Sequence, residues 1–450
     1  MGSPSLSDFR AIGIEEIRSD WKQLRGASSP SESAATLNPI SADQGMGGSD
    51  SRNPVALIRT LRPDETGIVS DLTARIFGEP HEYEMMASTL KAAYTECPFL
   101  STDLCWVAEA NGRIVAKWQL LDLQMRIAGV PIRMAGIQGV VAEPDENHKG
   151  YAKEIALAAL PEIRKLDFDL VLGFAKRGAF YRRLGAVVVA ADYEVDFDVL
   201  GIPPLRDDPF REFDEARDLD AIIDTYNRAN LESTGQLVRT REMWPWLVRK
   251  PSSIFVCEDG YIGLGLLPDR IDIRELAGHG AAFHDTAIRK IAGLARERGV
   301  GRICGTIPPD HPLVRAGARY GLQIQSSYTR KSGCIALALT PVRLIGRLRE
   351  ALDTRLRESQ FRDVHVDLGL RGPAEAERMV LNPQGREGRK IDLELPEGAL
   401  LQLAMGHVSI ESTLLAHPNA CSEAIDGEAL GLLNTIFPVG HPFMWRTDRY

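Results

Sequence analysis

The chain has 450 residues, of which 44% are apolar and 26% charged, and its formal net charge is −9. That length exceeds what a single hydrophobic core organises and points to about three domains. The negative balance disfavours nucleic acid as a partner, no apolar run approaches a membrane span, and the N terminus shows neither a signal-peptide nor a myristoylation pattern, so a cytoplasmic protein is expected.

Residues 1–53 open with a short amphipathic stretch at 9–24, followed by a tail rich in Ser, Gly, Ala and Pro with few large apolar side chains. This extension is expected to be mostly disordered. Regular patterning starts at Val55, with a strand at 55–61, a helix begun by Pro63-Asp64-Glu65 and a second helix at 83–94. A hairpin follows, its strands at 105–110 and 114–123 joined by Asn111-Gly112, and two further strands flank Gly129-Val130-Pro131.

The compact apolar residues Val140, Val141 and Ala142 end at Pro144, and Gly150 then opens a helix at 151–166. Unpaired backbone N–H groups and the positive end of the helix dipole make such a turn a cradle for a pyrophosphate. A strand at 169–174 and the short helical run Phe180-Tyr181-Arg182-Arg183-Leu184-Gly185-Ala186 complete a first domain, placed at 54–200.

Gly201-Ile202-Pro203-Pro204 breaks that unit. A second pass of similar order occupies 205–340: a helix at 218–231, strands at 254–258, 261–267 and 271–276, a helix at 281–298, a strand at 302–307, a helix at 313–320 and a strand at 335–339. The turn Ala277-Gly278-His279-Gly280 carries no phosphate-loop pattern, so this domain is expected to lack a cofactor site. The remainder, 341–450, begins with a helix presenting Leu344, Ile345, Leu348 and Leu352, passes through alternating strands at 364–368 and 391–395, and ends in helices at 398–405, 410–416 and 429–436. Its last residues include Phe443, Met444, Trp445 and Tyr450, too apolar for a free tail. Six cysteines (Cys97, Cys105, Cys257, Cys304, Cys334, Cys421) form no Cys-x-x-Cys pair, and no metal site is expected.

Two segments carry a family resemblance. Asn147-His148-Lys149-Gly150-Tyr151-Ala152 resembles the acetyl-CoA pyrophosphate loop of the GNAT acyltransferases, and Phe180, Tyr181 and Gly185 resemble their tyrosine-bearing helix. Asn147 departs from the Arg or Gln usual at its position. The resemblance implies an α+β fold of tandem GNAT mixed sheets with flanking helices. It also implies acetyl-CoA as cosubstrate on Val140, Val141, Ala142, Asn147, His148, Lys149, Gly150, Tyr151 and Ala152, and Tyr181 as the acid that protonates the leaving thiolate. The last domain resembles the sterol-carrier-protein-like module that closes the Eis family. Chains of that family place their terminal carboxylate in the first active site, which implies Tyr450 as general base here. Most of them end in phenylalanine, and they assemble as hexamers, implying a homo-oligomer. The acceptor implied is a primary amine, on an aminoglycoside- or polyamine-like small molecule or on a lysine. Two other readings stay open at this point, a transferase for a longer acyl-CoA and a non-enzymatic lipid-binding protein whose first domain has lost catalysis.

Overall fold

A computed structural model describes residues 56–79, 81–146, 149–175, 178–327, 333–421 and 424–450. The expected amphipathic stretch and tail at 1–53 lie outside the described residues.

The first part of the chain runs β1 (Leu57–Thr60), α1 (Thr66–Phe77), α2 (Tyr83–Glu96), β2 (Leu100–Ala110), β3 (Arg113–Ile127), β4 (Val130–Ala142), α3 (Tyr151–Lys165), β5 (Leu170–Ala175), α4 (Gly178–Arg182), β6 (Val187–Ala190) and β7 (Asp192–Asp198). Then come β8 (Arg211–Glu212), α5 (Glu215–Ala229), α6 (Trp244–Leu247), β9 (Ser253–Cys257), β10 (Gly260–Leu266), β11 (Ile271–Gly278), α7 (Gly280–Glu297), β12 (Arg302–Thr306), α8 (Pro312–Gly317), β13 (Gln323–Ser327) and β14 (Gly333–Ala338). The last part comprises α9 (Pro341–Arg347), α10 (Arg349–Arg357), β15 (Val364–Arg371), β16 (Ala376–Leu381), β17 (Glu387–Glu394), α11 (Glu397–Ala404), α12 (Ile410–Ala416) and α13 (Gly427–Ile436). Among these helices none is long and apolar enough to cross a membrane.

Turn chemistry sets the first sheet. Asn111 and Gly112, with φ of 53° and 72°, close the β2–β3 hairpin, and Ala128 and Gly129, at 50° and 80°, close β3–β4. Two consecutive residues with positive φ match the right-handed twist of the strands they join.

Three sheets result, ordered β1-β2-β3-β4-β5-β14-β6, β13-β7-β12-β11-β10-β9-β8 and β16-β15-β17. In this order two strands cross the expected boundary at 200–205. The strand β7, counted with the first domain, lies between β13 and β12 of the second sheet, and β14, counted with the second, inserts between β5 and β6 of the first. Val195 and Phe197 of β7 are buried in the second sheet's core, whereas Ile335 and Leu337 of β14 join the core against the first sheet. Alternation along a strand shows that one face is buried but does not identify the sheet that receives it. The helix expected over Leu344–Leu352 is likewise two helices meeting at Leu348.

The third domain leans on the first. One core cluster contains Met134, Leu170 and Leu172 of the first sheet together with Val366, Leu368, Leu400 and Leu433 of the third domain. Gln402 donates to the Val188 carbonyl at 2.8 Å, so α11 covers the edge strand β6 that would otherwise invite pairing. At the start of β5 the buried Asp169 accepts from Thr340 at 3.0 Å and faces Arg347 at 3.0 Å, which fixes α9 to the strand. Of the six cysteines, all free, Cys105 and Cys334 are buried and the other four half-buried.

Candidate active site

The first sheet opens between β4 and β5. These parallel strands pair only at Met134–Leu170, Ala135–Val171 and Gly136–Leu172, after which β4 runs on to Ala142 and β5 to Ala175. On their outer edges both remain held, Val140, Val141 and Ala142 opposite Trp118, Lys117 and Ala116 of β3, and Gly173, Phe174 and Ala175 opposite Ile335, Cys334 and Gly333 of β14. The inner edges therefore part, leaving backbone donors and acceptors to be satisfied by something else. A wedge at the carboxyl ends of parallel strands is where open α/β sheets take ligands.

One residue of this wedge escaped sequence reasoning. The β3–β4 register jumps between Gln119–Gly139 and Leu120–Ile137, which makes Gln138 the extra residue of a bulge. A bulge turns strand groups out of the ladder and is common beside active sites. The signal available was the pair of glycines, Gly136 and Gly139, inside an otherwise apolar strand. A Cβ placed on Gly139 would meet nothing within 4 Å, so the crevice is open there.

Behind the wedge stands the start of α3. Gly150 is its N-cap in the left-handed region, φ 91°, and among the described residues no side chain caps the helix and nothing lies within 4 Å of a Cβ placed on Gly150. Lys153 N–H donates to the Gly150 carbonyl at 2.9 Å, and the N–H groups of Tyr151 and Ala152 stand at the positive end of a 15-residue helix. Tyr151 packs into the core at 3% exposure with its phenol beside Glu146, and Ala152 is half-buried. The Lys149 ammonium pairs with Glu146 at 2.7 Å, a contact that Lys149 would have to loosen to reach a phosphate. Asn147 and His148 lie outside the described residues. The residues present fit an acyl-CoA: open strand edges for amides and an uncapped helix start for a diphosphate. Among the described residues no group of three or more His, Cys, Asp or Glu is placed to hold a metal ion.

Two tyrosines approach from opposite faces. Tyr181 sits on α4, its ring 4.9 Å from that of Phe180, and packs on the cluster that includes Ala135, Ile137 and Val171, as do Val140 and Ala142. Burial pushes its phenol up to about 12. Tyr450 packs on the other cluster, that of Met134 and Leu172, whose side chains alternate with the first set along the same strands. Its hydroxyl donates to the Leu172 carbonyl at 3.2 Å and its ring stands edge-on to Phe174 at 6.0 Å. The last residue of the chain therefore lies at the point where β4 and β5 part.

Gly136 makes room for it. A Cβ there would stand 2.6 Å from Tyr450 Cζ and 2.9 Å from Leu123 Cδ1. Gly136→Ala is expected to displace the Tyr450 ring, to cost about 1–3 kcal/mol of stability by overpacking, and to lower turnover. Thermal melts and steady-state kinetics check this, and an unchanged kcat would show that the ring's placement is immaterial.

Residues 57–189 match the family described as acetyltransferase (GNAT) domain. No curated protein matches the chain significantly. Among solved structures, the chain is similar to a GCN5-related N-acetyltransferase from Kribbella flavida, with 17% identity, a TM-score of 0.65 and coverage of 89% of this chain and 100% of that one. A GCN5-related N-acetyltransferase from Anabaena variabilis gives 14%, 0.68, 88% and 100% for the same quantities, and Eis1 from Mycobacterium abscessus gives 14%, 0.57, 87% and 100%. At such identities the likeness speaks to the fold, which is α+β with tandem GNAT-like sheets. The matched domain makes the chain an N-acetyltransferase in class, with a fold whose cosubstrate is acetyl-CoA.

Proposed function

We propose that the chain transfers acetyl from acetyl-CoA to a primary amine, on an aminoglycoside- or polyamine-like small molecule or on a lysine, with Tyr181 as general acid and the α-carboxylate of Tyr450 as general base. The observation that carries this reading is the lodging of the chain's last residue at the β4–β5 crevice, fixed by Gly136, Leu172 and Phe174.

In this reading the pantetheine arm pairs with the open edge of β4 at Val140, Val141 and Ala142, and the diphosphate sits on the N–H groups of Gly150, Tyr151 and Ala152, with Asn147, His148 and Lys149 around it. The acceptor nitrogen attacks the thioester carbon, and its surplus proton passes to the terminal carboxylate, directly or through water. As the C–S bond breaks, the Tyr181 proton goes to the sulfur. A backbone N–H released by the bulge at Gln138 supplies a donor for the developing oxyanion. The Tyr450 ring at the closed end of the wedge favours a short acyl group over a long one. A homo-oligomer, such as a hexamer, and a sterol-carrier-protein-like third domain belong to this reading through the resemblance to the Eis family alone.

The pH dependence follows from the direction of the Tyr181 shift. Its acid form persists until pH approaches about 12, whereas an alkylamine acceptor loses its extra proton near about 10. The rate is therefore expected to climb from neutral pH toward the acceptor's pKa with no fall due to the acid below about pH 11. A descending limb near pH 8 to 9 with a stable protein would overturn the assignment. The activity itself is tested by following thiol release from acetyl-CoA with a panel of amines. Release that no amine stimulates would sink the reading.

A further inference from the structure

The second sheet contains a wedge of the same kind. Its parallel strands β11 and β12 pair at Ile271–Ile303, Asp272–Cys304 and Ile273–Gly305, after which β12 ends at Thr306, held on its far side by β7, while β11 continues to Gly278 beside β10. The end of this chain lies across it. Arg446 donates to Thr306 Oγ1 at 2.9 Å and to both Asp272 oxygens at 2.9 and 3.0 Å, and the Thr447 hydroxyl reaches the Arg274 carbonyl at 3.5 Å. Trp445, 1% exposed, stacks edge-on with His311 at 5.5 Å and Phe443 at 5.0 Å.

Asp448 goes deeper. Its carboxylate accepts from Arg239 Nε at 2.8 Å and from the Tyr226 hydroxyl at 3.0 Å. Arg239 also grips both oxygens of Glu275 on β11, and its guanidinium lies over the rings of Tyr226 and Trp244 at 3.8 and 4.6 Å. The side chains of Arg239 and Asp448 are fully buried. A buried ion network seldom adds stability over an apolar core, and its best-attested use is to specify one arrangement. Here the arrangement specified is the position of Asp448, two residues before the chain ends. Lys250 holds the Thr447 and Arg449 carbonyls at 2.8 and 3.1 Å, Arg449 reaches Asp192 at 2.9 Å, and Tyr450 then enters the first wedge.

We propose that the second wedge is a receptor for the chain's own C terminus, and that Arg239, acting through Asp448, is the positioning residue that sets Tyr450 in the first wedge. The second sheet in this way acts as a clamp for its neighbour. The catalytic consequence rests on reading Tyr450 as the base; the placement does not.

The experiment uses the full chain under native conditions. Carboxypeptidase A removes an accessible C-terminal tyrosine, and the loss is read as the mass of the intact protein. The wild-type chain is expected to keep Tyr450, while folded Asp448→Asn and Arg446→Ala variants lose it about tenfold faster or more, since cleavage tracks the population of the released tail. Lys250→Met, altered at an exposed position, carries the test if the other two variants do not fold. Release as slow in the folded variants as in wild type, or as fast in wild type as in the variants, overturns the proposal. Kinetics on the same proteins separate the two readings. A lower kcat at unchanged acetyl-CoA KM, together with faster release, supports both. Faster release with unchanged kcat leaves the receptor standing and removes the terminal base, whereas lower kcat with unchanged release overturns the receptor.

Discussion

Tyr181→Phe is expected to lower kcat by about 10²- to 10⁴-fold, the usual contribution of a positioned acid, with acetyl-CoA affinity nearly unchanged. The substitution removes one oxygen and keeps the ring that packs beside Phe180. Among the described residues the phenol has no hydrogen-bond partner, so its removal orphans no buried group and the fold is expected to hold. Burial is the cause that raises this phenol to about 12, well above a thiol at about 8.5. Proton transfer from Tyr181 to a free thiolate is consequently uphill, and the proton has to move while the C–S bond is still breaking. In the proposed role Tyr181 is engaged only in the transition state, so its loss is expected to fall on kcat. Steady-state kinetics with calorimetric titration of acetyl-CoA decide the matter. Equal loss of turnover and affinity, or loss of neither, would rule out the acid.

What the sequence makes legible is local. Asn111-Gly112 announces its hairpin because positive φ at two residues is an intrinsic preference, and Gly150 announces the start of α3 because the left-handed N-cap is one as well. Val140, Val141 and Ala142 read as a compact strand for the same reason. Edge strands β13 and β16 escape, since Gln323, Gln325, Glu377 and Arg378 face solvent and leave little apolar alternation. The exchange of β7 and β14 between sheets is a matter of partner choice that neither strand encodes alone. Gln138 is hidden on the same ground, because a bulge exists only against the strand it opposes. Most distant of all is the Arg239–Asp448 pair, separated by 209 positions. The apolar residues at the chain's end show that the tail docks, while the charged residues between them, Arg446 and Asp448, determine where it does.

That docking underlies the second large effect. Extending the chain by two residues after Tyr450 is expected to lower kcat by about 10²-fold or more while leaving the melting temperature close to wild type. Extension turns the terminal carboxylate into an amide, which accepts no proton at neutral pH, and carries the new carboxylate about 3.5 Å farther per residue. The anchors upstream, Arg446 on Asp272, Asp448 on Arg239 and the Lys250 bridge, involve no atom of the terminus, so they persist in the longer chain. Tyr450→Phe supplies the contrast. It keeps the carboxylate, gives up only the 3.2 Å bond to the Leu172 carbonyl, and is expected to cost about 1 kcal/mol or less in transition-state energy, under about tenfold in rate. A carboxylate that serves as base makes the extension far more damaging than the phenylalanine. If the two variants were equally impaired, the ring and its bond to Leu172 would matter and the carboxylate would not; full activity in the extended chain would place the base elsewhere in the crevice.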